Sequence, residues 1–119
     1  MRKVVTLLLV LTLVFGLTAC GQKPPKIVSH PVNVTVTEGE TARFSVLVKG
    51  KDVSYEWQYY STSKNAWTAI TSKDYVGKDA SNLSVPATLK RDRLNYRCAV
   101  TNSEGTVYSN YATLMVVPK

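Results

Sequence analysis

Four segments of the chain alternate apolar and polar residues with period two: Ala42-x-Phe44-x-Val46-x-Val48, Tyr55-x-Trp57-x-Tyr59, Tyr96-x-Cys98-x-Val100 and Ala112-x-Leu114-x-Val116. Successive side chains of an extended strand point to opposite faces, so each segment presents one apolar and one polar side. Turn-forming clusters separate them: Glu38-Gly39-Glu40, Gly50-Lys51-Asp52, a polar loop over 61–65, and Asn102-Ser103-Glu104-Gly105. No stretch beyond residue 27 keeps a helical period. One-sided strands at this spacing must bury their apolar faces against one another, which predicts an all-β sandwich or barrel. Shorter strands are predicted at 32–36, 67–70 and 83–86. The segment 71–81 reads as irregular, and the last strand is expected to run unbroken over 106–117.

The other informative segment comes first in the chain. Arg2 and Lys3 precede an apolar run over 4–15, broken only by Thr6 and Thr12 and followed by Leu17-Thr18-Ala19-Cys20. A positive start, a short apolar stretch and small residues at the cut make a secretory leader. The run is too short for a bilayer core, which takes roughly 20 apolar residues. The order Leu, small polar, Ala, Cys resembles the lipobox of bacterial lipoproteins. That resemblance implies removal of residues 1–19, a diacylglycerol on the thiol of Cys20, and a lipid-anchored chain on the extracytoplasmic face of the cell membrane. An outer-membrane destination stays open in a two-membrane cell. An ordinary leader that happens to carry Cys20 is the other reading. Residues 20–26 then read as the lipidated cysteine and a Pro24-Pro25 tether of roughly 20 Å. Lys23 and Lys26 would lie beside the headgroups, and 27–118 would form the domain.

Without the leader the chain has 100 residues, enough for one domain and its core. The whole chain carries 15 Lys and Arg against 8 acids; Arg2 and Lys3 leave with the leader, so 13 remain and the net charge is +5. Such a surplus suits anionic lipid or wall polymer. A nucleic-acid partner is not expected, since no binding motif accompanies the charge. The chain has two cysteines, and with Cys20 lipidated Cys98 has no partner within the chain.

The spacing of Trp57, Tyr96 and Cys98 resembles the immunoglobulin fold. The run Asp92-Arg93-Leu94-Asn95-Tyr96-Arg97-Cys98 is similar to that fold's strand F signature. Glu38-Gly39 and Asn102-x-x-Gly105 resemble its intermediate-set subclass. Trp57-Gln58-Tyr59, Trp67-Thr68, Leu83 and Thr101-Asn102-Ser103 bring the likeness closer to immunoglobulin-like repeats of bacterial surface proteins. The resemblance implies an antiparallel sandwich with Trp57 packed where strands B and F face each other. It also implies that the Tyr96 hydroxyl bonds backbone a few residues upstream. The strand B cysteine position is held by Val46, so the inter-sheet disulfide is absent and Cys98 is expected to be a buried, inert thiol. The expected core is Phe44, Val46, Trp57, Leu83, Tyr96, Cys98 and Leu114, with Val116.

Little here points to catalysis. His30 is the only histidine; no Cys/His set has metal spacing, and no glycine-rich phosphate loop exists. Neither an enzyme nor a cofactor is expected. Two features remain for binding. Tyr60, Trp67, Tyr75, Tyr108 and Tyr111 exceed what the core needs, and exposed Trp and Tyr stack on sugars or anchor protein interfaces. Trp67 packing on its own sheet is the structural alternative. Lys90-Arg91-Arg93, with Arg97, forms a basic cluster suited to anionic polymer or phospholipid, or else a solvated corner. The leading expectation is a surface-exposed, non-catalytic interaction module for another protein. Carbohydrate or cell-wall polymer binding through Tyr60, Trp67 and Tyr75 is the second reading, and a spacer without a ligand the third.

Overall fold

The computed structural model describes residues 23–119. Its strands are β1 (Lys26–Ser29), β2 (Val34–Thr37), β3 (Thr41–Ser45), β4 (Leu47–Lys49), β5 (Ser54–Ser61), β6 (Ala66–Ala69), β7 (Asn82–Pro86), β8 (Asn95–Asn102), β9 (Gly105–Tyr108) and β10 (Ala112–Val117), with a 3-10 turn at Leu89–Arg91. The leader, Cys20, Gly21 and Gln22 lie outside the described residues.

The strands form a two-layer sandwich. One layer has the order β2-β10-β8-β5-β6, with β9 joined to β8. The other comprises the pairs β1–β4 and β3–β7. All pairs are antiparallel except β2 with β10, which run parallel from Leu114↔Val34. Alternation dictates which faces meet. Ala42 and Phe44 of β3, Leu83 and Val85 of β7, Tyr96, Cys98 and Val100 of β8, and Ala112, Leu114 and Val116 of β10 all point into one core. Shifting any of these strands by one residue would put its apolar side in water.

Several local features depart from the alternation. The expected alternation over 42–48 is broken between β3 and β4 at Val46, whose N–H turns to the Ser81 carbonyl at 3.0 Å. The final strand is split, because Ser109 is buried and its hydroxyl accepts the Cys98 N–H at 2.9 Å and donates to Asn110 O at 2.8 Å. The chain thereby moves from pairing with the end of β8, Ala99↔Tyr108, to pairing with its start, Ala112↔Tyr96. The segment 71–81 is tied back by a bridge between Val76 and Ser84. It turns at Gly77, where φ is +85° and a Cβ would lie 2.0 Å from Asn82 O.

Residues 23–26 are no free spacer. Lys26 opens β1 opposite Lys49, Pro25 is buried, and the Lys23 carbonyl accepts the Asn102 side-chain amide at 2.8 Å. Contacts with the domain therefore reach back as far as Lys23, ahead of the expected boundary at Ile27.

Phe44, Val46, Trp57, Leu83, Tyr96, Cys98 and Leu114 are each at most 6% exposed. The Trp57 indole N–H donates to Ala80 O at 2.7 Å, so its one polar atom is satisfied inside. The Trp57 backbone receives Ile70 N–H and donates to Lys78 O. Tyr96 lies 5.3 Å from the Phe44 ring. Its hydroxyl pairs with the Tyr75 hydroxyl at 2.9 Å, not with upstream backbone as the resemblance implied. Burial and that bond push the Tyr96 phenol well above its ordinary range. Asp92, the first residue of the strand F signature, spends its carboxylate on the Val116 N–H at 2.8 Å. It thus ties the 3-10 turn to β10. Cys98 is a free thiol, and burial pushes it up to about 12.

Trp57→Ala is expected to lower stability by about 3 to 5 kcal/mol, read as a denaturation midpoint; a domain of this size has only about 5 to 15 kcal/mol in all. A Trp57→Ala protein as stable as the parent would contradict the packing described. Gly77→Ala should also be severely destabilising, because its Cβ meets backbone rather than a side chain that can move. Cys98 should react with a thiol reagent only after denaturant is added; rapid native labelling would place it outside the core.

Candidate functional site

The outward side of the larger layer carries a cluster that alternation assembles from four strands. Trp57 and Tyr59 of β5 alternate with Gln58 and Tyr60, and Tyr96 and Cys98 of β8 alternate with Arg97. Arg97 therefore faces away from the core. Its register partner is Gln58, whose Oε1 accepts the Arg97 Nε–H at 2.8 Å. The guanidinium carbon lies 4.5 Å from the Trp67 ring centre and 4.2 Å from that of Tyr108. A cation held between two aromatic rings gains quadrupole attraction on both sides. Partial burial lowers the Arg97 proton affinity, opposed by Tyr108, yet guanidinium stays charged throughout the physiological range.

Trp67 of β6 sits opposite Tyr60 of β5. The two rings meet edge-on at 5.5 Å and 78°, while Trp67 and Tyr111 are 6.1 Å apart at 42°. The Tyr60 hydroxyl donates to Asn65 Oδ1, which pins it over the β5–β6 turn. Asn65 takes φ +51° in that turn, a conformation Asn tolerates better than most residues. Tyr108 and Tyr111 are 52% and 59% exposed and border the stack. The product is a fixed arginine between aromatic walls; among the described residues only its Nε is hydrogen-bonded, which leaves the Nη donors to meet an acceptor. Preorganisation of this kind reduces the ordering cost of binding.

The candidate residues divide accordingly. Tyr60 and Trp67 belong to this face. Tyr75 does not: it is half-buried on the other side, bonded to Tyr96 and covered by Arg91, whose guanidinium lies 4.5 Å from its ring centre. Arg91 also donates to Pro86 O at 2.8 Å and pairs with Asp74 at 3.2 Å. The basic cluster thus does not act as one patch. Arg91 is engaged within the domain, and Arg97 lies on the aromatic face. Lys90 and Arg93 remain exposed, the latter 3.8 Å from Asp92. Along the chain Arg97 groups with Lys90, Arg91 and Arg93; its place between Tyr96 and Cys98 in an alternating strand is the signal for its true position.

Other polar candidates have structural partners. His30 Nδ1 accepts the Asn110 N–H at 2.9 Å. Glu40 accepts the Thr37 N–H at 2.7 Å and closes the β2–β3 turn. Among the described residues no group of three or more His, Cys, Asp or Glu could hold a metal ion.

Comparison with known proteins accords with this architecture. Residues 24–102 match the sequence profile of the immunoglobulin domain family. The muscle M-line assembly protein unc-89 of Caenorhabditis elegans is 35% identical over 88 residues, covering 74% of this chain and 1% of that protein. Protein borderless of Drosophila melanogaster is 32% identical over 87 residues, covering 72% of this chain and 12% of that protein. The chain thus spans a small part of either relative. Among solved structures, a complex of titin with the obscurin-like 1 immunoglobulin domain superposes with a TM-score of 0.64 at 22% identity, over 83% of this chain and 98% of that one. Domains of this kind are generally non-catalytic. With the alternating core, the central tryptophan and the matched profile together, the chain belongs to the immunoglobulin domain family.

Proposed function

We propose that this protein is a lipid-anchored, non-catalytic immunoglobulin module that binds another protein through the face built from Tyr60, Trp67, Arg97, Tyr108 and Tyr111. The observation that carries the reading is the fixed Arg97 between Trp67 and Tyr108, bordered by exposed tyrosines. Tyrosine, tryptophan and arginine are the residues that dominate protein interfaces, where they act from ordered, dehydrated positions. The free Nη donors suit a carboxylate or carbonyl on the partner. Support of a general kind comes from the titin structure, in which a similar domain is seen in complex with another immunoglobulin protein.

A glycan reading needs aromatic rings that lie flat and parallel beneath a sugar. Here Trp67 meets Tyr60 edge-on, is tilted against Tyr111, and has Arg97 over its ring. Tyr75, the third aromatic of that reading, is held in the opposite layer. These facts favour protein over carbohydrate or wall polymer.

The anchor rests on residues 17–20, and the relatives named above are animal proteins, so the bacterial part of the proposal depends on that motif alone. Two or more acyl chains would hold the chain stably, at about 0.8 kcal/mol per buried methylene.

Two measurements check the proposal. Cys20→Ala should abolish fatty-acid labelling and release the protein from membranes; unchanged labelling and fractionation would remove the anchor. A photo-crosslinker placed at Tyr111 in producing cells should give a discrete protein adduct, and one placed at Thr41 on the other layer should not. An Arg97→Ala change should weaken that adduct about tenfold or more, given about 1.5 to 3 kcal/mol for a charged hydrogen bond. Equal adducts from both positions would refute the assignment of the face.

A further inference from the structure

The chain joins the domain where the β4–β5 and β8–β9 turns meet, and four lysines gather at that pole. Asn102 donates its side-chain amide to Lys23 O at 2.8 Å while its Oδ1 accepts the Glu104 N–H at 2.8 Å. Pro25 is buried beside Gly50, where a Cβ would come within 3.3 Å of the proline backbone. Lys26 stands directly opposite Lys49 across β1–β4, and Lys51 lies in the next turn. All four lysines are exposed, and among the described residues none forms an ion pair. The acids of those two turns are Asp52 and Glu104, neither of which pairs with these lysines, whereas Lys78 and Asp79 in the 77–81 turn pair with each other at 3.3 Å. Val28 and Leu47, on the same two strands, are 47% and 60% exposed. Like charges set opposite each other weaken a strand pair. They are tolerable where an anionic surface lies against them.

We infer that this pole faces the membrane: Lys23, Lys26, Lys49 and Lys51 rest on anionic lipid headgroups, and the Asn102–Lys23 clamp holds the domain in that orientation. The inference rests on the lipid-anchor reading of Cys20. By sequence only Gly21 and Gln22 separate that residue from the clamped Lys23, and three Cα steps reach at most about 11 Å. That distance is close to one Debye length at physiological salt, about 8 to 10 Å, so the lysines remain within the field of the surface. A loose spacer of roughly 20 Å would have let the domain tumble; a clamp at its last residues does not. Lys90, Arg91 and Arg93 precede β8, whose eight residues carry the chain about 25 Å toward Asn102. They therefore point away from the anchoring membrane. The β4–β5 and β8–β9 turns are shielded by lipid, and the aromatic face stays open at the side.

The test uses the full lipidated protein in phosphatidylglycerol–phosphatidylcholine vesicles that carry a headgroup quencher. Fluorophores are placed one at a time at Ser54→Cys, the first residue of β5, and Thr62→Cys, just past its last, since the buried Cys98 does not label. Quenching should be several times stronger at position 54 than at position 62. Lys49→Glu with Lys51→Glu, both on the exposed surface, should bring quenching at the two positions close to equal, since each lysine lost weakens the headgroup contact about fivefold; vesicles of phosphatidylcholine alone should do the same. Asn102→Asp, which keeps the acceptor for Glu104 and loses the donor to Lys23, should also abolish the bias. Equal quenching at both ends in a protein that is anchored overturns the orientation and leaves the anchor standing. A bias unmoved by the lysine changes overturns the headgroup contact. A chain that carries no acyl group and does not partition overturns the anchor, and the orientation with it.

Discussion

Everything in this domain is arranged around the burial of Trp57. A cysteine pair would normally join the two layers at this point, and here a valine and a free thiol share the core instead. The indole fills the centre, and its N–H finds Ala80 O, on the segment that leads into β7 of the opposite layer. One side chain thus supplies apolar area and a satisfied polar link between layers. Without a covalent link to limit the unfolded chain, the domain forgoes roughly 3 to 4 kcal/mol in the chain-entropy account and depends on packing. That dependence explains the second polar bond inside the domain, Tyr75 to Tyr96, and the Asp92 carboxylate set on Val116 N–H. Each fastens an element that the sandwich alone would leave loose.

The proposed binding face follows from the same rule that builds the core. A strand that sends Tyr96 and Cys98 inward must send Arg97 outward, and β5 sends Gln58 and Tyr60 to the same side. Register does the rest, since Gln58 meets Arg97 and Tyr60 meets Trp67. Arg97 is then held by one hydrogen bond and two rings before any partner arrives. The face is consequently stiff in its middle and adaptable at Tyr108 and Tyr111. A protein interface of this build gains specificity from the fixed charge and area from the rim.

Under the proposal made above, attachment and recognition would occupy different parts of the molecule. Clamping Lys23 to Asn102 converts the start of the chain from a flexible leash into a short mount. If the lysine-bearing pole is turned to lipid as proposed, the long axis of β8 stands away from the membrane and the aromatic face is presented sideways. Partners on the same cell surface or projecting from a neighbouring one could reach it, whereas the turns at the mounted pole could not be reached from solution.

Periodicity and a handful of residues specified the class of fold: alternation in four segments, Trp57, and the Asp92-to-Cys98 run left little besides a sandwich with a disulfide-free centre. Local turn chemistry placed most strand ends as well. What alternation could not supply was anything set by contact between segments far apart in sequence. Breaks at Val46 and Ser109 depend on hydrogen bonds to Ser81 and Cys98, and the Tyr96 hydroxyl bonds Tyr75 because the 71–81 segment is drawn back by a single bridge at Val76. Residues 20–26 read as a lipidated cysteine and spacer because prolines favour an isolated extended chain; over 23–26, burial of Pro25 and the Asn102 amide on Lys23 decided otherwise. Arg91 and Arg97 look alike in a basic stretch, yet one faces Tyr75 and the other Trp67, since the first lies in a 3-10 turn and the second in a strand. Charge and aromatic content were visible in the chain. Which of those groups share a surface was decided by strand register, which exists only once the layers have paired.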